Sequence, residues 1–217
     1  RGRVESMARV HPGAASAFIP AQADLPVLRE AVQQCRACEL CGLATQAVFG
    51  EGNRGARIVL VGEQPGDEED RAGRPFVGPA GQVLEAAMRQ AGLDRSSVYV
   101  TNAVKAFRYE ERGKRRIHKT PRAAHIATCR PWLEAEIAAL RPELIICMGA
   151  TAAQSVLGRA IQIKAERGRR EERRWGADVI VTYHPSAILR APDEATKAEL
   201  YRALVEDLSF QAAPKTL

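Results

Sequence analysis

Four short apolar runs rich in β-branched residues punctuate the chain, at 57–61, 97–100, 144–147 and 179–182. Each is too short for a helix and apolar on both faces, the pattern of strands buried inside a parallel sheet. Stretches with helical period lie between and after them, at 80–91, 121–140, 151–157 and 192–208. Strand and helix in alternation require crossover connections and a sheet covered on both sides. The expected fold is therefore α/β, a three-layer α/β/α sandwich around a central four-stranded parallel sheet. Ligands of such sheets gather at the carboxyl ends of the strands. The segments leaving those ends are 62–79, 102–120, 148–150 and 183–190, and the first two are too long to be mere connectors.

With 217 residues, 46% of them hydrophobic and 27% charged, the chain has enough apolar side chain for one substantial core. A single domain is expected over 25–210, between a poorly ordered leader at 1–24 and a tail at 211–217. No run approaches the roughly 18 apolar residues that cross a bilayer, and residues 1–20 lack the apolar stretch of a signal peptide. A cytoplasmic monomer without membrane contact is the default. The formal charge of +6 and the sequence pI near 9.3 bias the surface towards polyanions without establishing nucleic-acid binding. Arg and Glu are mixed through 164–175, which reads as a solvated loop.

Three of the five cysteines crowd into Cys35, Cys38 and Cys41, and Cys129 follows far away on the helix expected over 121–140. An odd count with this spacing fits reduced thiols or metal ligation better than disulfides. A structural zinc would normally want a second close pair, which is missing, so an iron–sulfur cluster of the 4Fe–4S kind is favoured over zinc. Cys35, Cys38 and Cys129 are the candidate ligands. The fourth is Cys41 or Cys147, and Cys41 is preferred because Cys147 falls inside a buried strand, where a lone thiol is usually an apolar filler.

Behind the first strand runs Gly62-Glu63-Gln64-Pro65-Gly66-Asp67-Glu68-Glu69-Asp70, then Gly73-Arg74-Pro75-Phe76-Val77-Gly78. Neither a dinucleotide fingerprint nor a Lys-Ser/Thr phosphate loop is present, which argues against a nucleotide cofactor. Carboxylates here suit work on a base or on water. Taken singly, Phe76 is ordinary core, Asn102 a strand-end turn and His184 a surface histidine. Together at strand ends they suit an extruded base, which needs a stacking face, an amide that both donates and accepts, and a donor for developing negative charge.

These segments resemble the iron–sulfur uracil-DNA glycosylases. Gly-Glu-Gln-Pro-Gly with Glu69-Asp70 and Gly73 to Gly78 is similar to that family's first motif. Thr101-Asn102-Ala103-Val104-Lys105 looks like its second-strand motif, Cys129-Arg130-Pro131-Trp132-Leu133 like its cluster-bearing helix and His184-Pro185-Ser186 like its late histidine motif. The resemblance implies a pocket in which Phe76 stacks on uracil, Asn102 reads its edge with Gln64 and Asp70 alongside, and His184 faces the departing carbonyl. The implied substrate is uracil-containing DNA, with single strands preferred.

Residues 105–122 read KAFRYEERGKRRIHKTPR, and a loop so basic suits phosphate contacts from Lys105, Lys114, Arg115, Arg116 and Lys119, with Ser186 nearby. Lys114-Arg115-Arg116-Ile117-His118 resembles the signature loop of the UdgX-type glycosylases, which implies that His118 becomes bonded to the sugar once uracil has left. Cleavage leaves an electrophilic C1′, and a positioned imidazole competes with water for it. Glu63 or Asp67 is expected to orient water, steady positive charge at the sugar or take the imidazole proton, with Glu63 favoured for orienting His118. The chain departs from the pattern at Ala106, where related glycosylases carry a cysteine ligand.

Overall fold

The computed structural model describes residues 15–209, except the side chains of 171–173. The leader expected over the first fourteen residues and the tail expected at 211–217 lie outside that span. The elements run α1 (Leu25–Val32), α2 (Leu40–Leu43), β1 (Glu51–Gly52), β2 (Ile58–Gly62), α3 (Asp67–Ala72), α4 (Pro79–Gln90), β3 (Val98–Asn102), β4 (Tyr109–Arg112) and β5 (Arg115–His118). They continue through α5 (Ala123–Leu140), β6 (Leu144–Met148), α6 (Ala150–Leu157), α7 (Ile163–Glu166), β7 (Arg170–Arg174), β8 (Ala177–Thr182), α8 (Pro185–Leu189) and α9 (Glu194–Ser209).

The four expected strands form the parallel centre of the sheet in the order β3-β2-β6-β8. Their side chains divide by the period of two. Val59, Val61, Tyr99, Ile145, Cys147, Val179 and Val181 face α1, α5 and α6, while Leu60, Val98, Val100, Leu144, Ile146, Met148 and Ile180 face α4 and α9. Burial on both faces is what made these runs apolar throughout.

The sheet is larger than expected, with six strands rather than four. Two-residue β1 pairs antiparallel with β3, and β7 pairs antiparallel with β8. Residues 164–175, read as a solvated loop, are therefore α7 followed by an edge strand. An edge strand needs backbone pairing on one side only, and charge there discourages further pairing, so no apolar run marks it. Part of the segment read as a leader also packs down. Ala15 begins a 3-10 turn and is fully buried, and Phe18, Ile19 and Ala23 lie against the core.

A buried ion pair joins the sheet to α5. Glu136 and Lys105 are 0% and 2% exposed and in direct contact. The Glu136 carboxylate also accepts hydrogen bonds from the Gly50 amide, the Tyr99 hydroxyl and the Thr101 hydroxyl, each at 2.9 Å. Lys105 Nζ donates further to Thr101 Oγ1 at 2.7 Å and to the Asn102 carbonyl at 2.8 Å, and lies over the Phe49 ring. Lys105 is thus no phosphate contact. Its aliphatic stem and charge serve the interior, because removing two charges from water is tolerable only when every donor and acceptor is matched.

Breaking one side of this pair strands a buried charge. Lys105→Met is expected to lower unfolding free energy by about 3–5 kcal/mol, and Glu136→Gln in the same chain to recover part of that loss. Urea denaturation of the two variants checks both outcomes.

Candidate active site

The strand order reverses between β2 and β6: β3 lies on one side of β2, and β6 and β8 on the other. The connections leaving these two strands diverge there and open a crevice. Glu63 follows β2 and Thr151 sits in the first turn of α6, and the Thr151 hydroxyl donates to Glu63 Oε2 across the gap at 2.5 Å.

Phe76, Asn102 and His184 converge beside that crevice. Phe76 takes a left-handed backbone at φ +57, a strained conformation for an aromatic residue. Its carbonyl can lie against Gly81 only because that residue has no side chain: a Cβ there would come within 1.7 Å of the oxygen. Buried Glu69 braces the loop at both ends, accepting from the Gly66 amide at 3.0 Å and the Gly78 amide at 2.7 Å. Gly62 forms the floor: a Cβ there would stand 2.4 Å from Asn102 Oδ1 and 2.6 Å from Phe76 Cζ. Asn102 Oδ1 is buried with no hydrogen-bond partner in the protein, a cost accepted in interiors chiefly where a ligand supplies the partner.

His184 caps α8. Its Nδ1 accepts from the Ser186 amide at 3.1 Å and lies 2.8 Å from the Ser186 hydroxyl, so the neutral ring carries its proton on Nε2. Burial, with the Arg190 and His118 charges adding, pushes its pKa down to about 4. The ring centroid is 6.2 Å from that of Phe76. A neutral imidazole with its proton on Nε2 therefore stands beside the Phe76 ring.

The 102–120 segment contains a two-stranded hairpin, β4 against β5, that brings His118 to the same crevice. His118 Nε2 is 3.4 Å from Glu63 Oε1. Packing behind the ring holds its pKa below the ordinary value despite the pull of Glu63, with Arg190 adding. Gln64 is spent on the hairpin root: its amide nitrogen donates to the carbonyls of Arg108 and Lys119, and its oxygen accepts from the Arg108 amide, all at 3.1 Å.

Arg116 latches the hairpin. It is ion-paired with Asp67 at 2.5 Å and Asp70 at 2.6 Å and stacks over Tyr109 and Phe107. Asp70, fully buried, also accepts from the Thr45 amide at 3.0 Å, and Asp67 pairs with Arg71 at 3.0 Å. Four assignments change accordingly. Asp67 is committed to arginines rather than to water or a sugar, Asp70 and Gln64 are scaffold rather than uracil contacts, and Arg116 is an internal anchor. Lys119 pairs with Glu110 at 2.5 Å, and Ser186 serves His184. Lys114 and Arg115, exposed at the hairpin tip, remain open to phosphate.

Cys35, Cys41 and Cys129 line a cavity of about 130 Å³ together with Ala106, Lys105 and Trp132, whose indole N–H donates to Cys35 Sγ at 3.4 Å. Cys38 Sγ lies 3.9 Å from Cys41 Sγ. Among the described residues no three ligating side chains close on a single metal ion. Cys147 sits apart in β6, where burial pushes its thiol up.

Residues 49–209 match the model of the uracil DNA glycosylase superfamily. A type-4 uracil-DNA glycosylase of Thermotoga maritima is 39% identical over 185 residues, 85% of this chain and 91% of that protein. Type-4 enzymes of Pyrobaculum aerophilum and Archaeoglobus fulgidus are 36% and 37% identical, over 78% and 76% of this chain and 86% and 83% of theirs. The chain belongs to the uracil-DNA glycosylase superfamily.

In this superfamily member the match begins at Phe49, so Phe76, Asn102, His118 and His184 all lie within it and the Cys35–Cys41 segment precedes it. Residues missed in the sequence include Thr151, Glu69, Glu136 and Arg190. Thr151 and Arg190 follow strand carboxyl ends, a position that marks them; Glu69 stands at the capping-box position of α3, a local signal, whereas Glu136 carries none, since its partners are remote.

Gly62→Ala is expected to displace Asn102 or Phe76 by the better part of an ångström and to lower base excision about 10²-fold with little change in folding. Single-turnover kinetics alongside circular dichroism tests this. His184 is expected to titrate near pH 4 in NMR spectra. Because its folded pKa lies below the ordinary 6.5, the unfolded chain takes up this proton first as pH falls. The stability that neutral His184 contributes is therefore complete above about pH 6.5 and declines down to about pH 4.

Proposed function

We propose that this protein excises uracil from DNA by cleaving the N-glycosidic bond and that His118 then bonds to the exposed sugar carbon. The observation that carries the reading is the unpartnered, buried Asn102 Oδ1, which meets the Phe76 ring over Gly62, with neutral His184 on that ring's flank. An extruded pyrimidine stacked on Phe76 supplies an edge N–H to that oxygen, and His184 Nε2–H faces a ring carbonyl. As the glycosidic bond breaks, its electron pair leaves with the base, and the His184 hydrogen bond meets the negative charge on that carbonyl. A neutral donor suits this role without bringing a buried cation.

The sugar is left with oxocarbenium character at C1′. Glu63, fixed by Thr151, offers a carboxylate beside it and contacts His118 Nε2. The unprotonated ring nitrogen of His118 donates its lone pair to C1′ while the proton on Nε2 passes to Glu63, and uracil departs as the anion. Atoms and charge balance without water. The hairpin, pinned by Arg116 and Gln64, supports this by holding the ring as a pre-positioned nucleophile. Lys114 and Arg115 at its tip serve the phosphate backbone of DNA, which we take to be single-stranded, and the protein acts as a monomer.

The cysteine cavity belongs to the same reading. Its donor set suits an iron–sulfur cluster: thiols from two separated segments line one void. Cys35 and Cys38 would hold the cluster at the N-terminal segment and Cys129 on α5. Bound there, it supplies a structural tie between α1, α2 and α5.

A uracil oligonucleotide and its thymine counterpart, incubated with the protein and run on a denaturing gel, test the proposal. A uracil-dependent band that survives heat and detergent is the expected result, with His118→Ser losing that band while still releasing uracil. Uracil release with an alkali-labile abasic product and no stable band identifies a conventional turnover glycosylase in which Glu63 directs water. Asn102→Leu is expected to lower excision by about 10²-fold or more, measured as free uracil.

A further inference from the structure

The geometry points to Cys41 as the fourth thiolate of the cluster, in place of the side chain that Ala106 lacks. The inference rests on the cluster reading above. Cys41 lies on α2, one helical turn beyond Cys38, and its amide donates to the Cys38 carbonyl at 3.2 Å. That turn directs both sulfurs to the same side, 3.9 Å apart. Cys41, Ala106, Cys35 and Cys129 share the walls of one cavity.

No other side chain there competes. Ala106 brings only a methyl group, and Lys105 beside it is committed to Glu136. His125, one turn before Cys129 on α5, has Nδ1 accepting from the Arg122 amide at 3.1 Å and Nε2 against Glu39 at 2.6 Å. Cys147 is fully buried within β6 and is not among the residues that line the cavity. Cys41 is also less buried than the other three thiols, which places the corner of the cluster that it holds nearest to solvent.

Three ligands then come from residues 35–41 and one from α5. The chain leaving β3, which carries Asn102 and leads to the hairpin, contributes no ligand. A cluster held in this way is tied to α2 rather than to the strand end of the active site.

The test uses the full chain purified without oxygen, with iron and acid-labile sulfide analysis, visible absorption and electron paramagnetic resonance. Wild type is expected to hold about four irons per chain. Cys41→Ala is expected to hold about three, with a three-iron resonance on oxidation, and Cys41→Ala with Ala106→Cys to return to about four. Should Cys41→Ala fail to fold by circular dichroism, Cys41→Ser decides: altered thiolate-to-iron absorption supports the assignment and an unaltered spectrum overturns it. About four irons and an unchanged spectrum in Cys41→Ala overturn the assignment while leaving the cluster in place. Wild type with zinc, or without iron and sulfide, overturns the cluster reading itself.

Discussion

The contact on which most of this structure turns is the buried pair of Glu136 and Lys105. One face of α5 presents Cys129, Trp132 and Glu136 at spacings of three and four residues, so a single helix touches both the cysteine cavity and the end of β3. Glu136 gathers Gly50, Tyr99, Thr101 and Lys105 around its two oxygens. Lys105 in turn holds the Asn102 carbonyl. Asn102 is thus positioned from behind, through its backbone carbonyl. Apolar packing alone leaves a strand end free to slide; a matched ion pair in low dielectric does not.

In front of that scaffold the site is built by close approach. Gly62 and Gly81 let the Phe76 loop descend until ring and amide share one floor, and the left-handed backbone of Phe76 is sustained by Glu69 clasping the loop at both ends. The strain is local and the restraint is distributed, a usual arrangement where binding geometry matters. The hairpin follows a similar logic. Arg116, in a stretch whose charge suits DNA, turns inward to two aspartates, and the neighbouring His118 is thereby held against Glu63.

The chemistry follows from which groups stay neutral. His184 is kept uncharged by burial and by a cap hydrogen bond that fixes its tautomer, which suits a donor facing an oxygen that gains charge. His118 is likewise held towards its neutral form, and only a neutral imidazole offers a lone pair. Two histidines in one crevice thus have distinct capacities, one to donate a hydrogen and one to donate electrons, because their surroundings differ.

Local sequence determined the parallel centre of the sheet, because strands buried on both faces must be apolar at every position. It also placed Phe76, Asn102, His118 and His184 at strand carboxyl ends, where the order of elements alone puts a crevice. Composition was a poor guide wherever charge turned inward. Lys105, Arg116, Asp67, Asp70 and Gln64 read as solvent or substrate contacts, and tertiary structure made them scaffold, since their partners lie tens of residues away. The edge strand β7 was hidden for the related reason that backbone pairing leaves no side-chain pattern. Only the folded chain could bring Cys129 to the cavity of Cys35 and Cys41, or set Thr151 against Glu63, because those meetings depend on how α5 and α6 pack across the sheet.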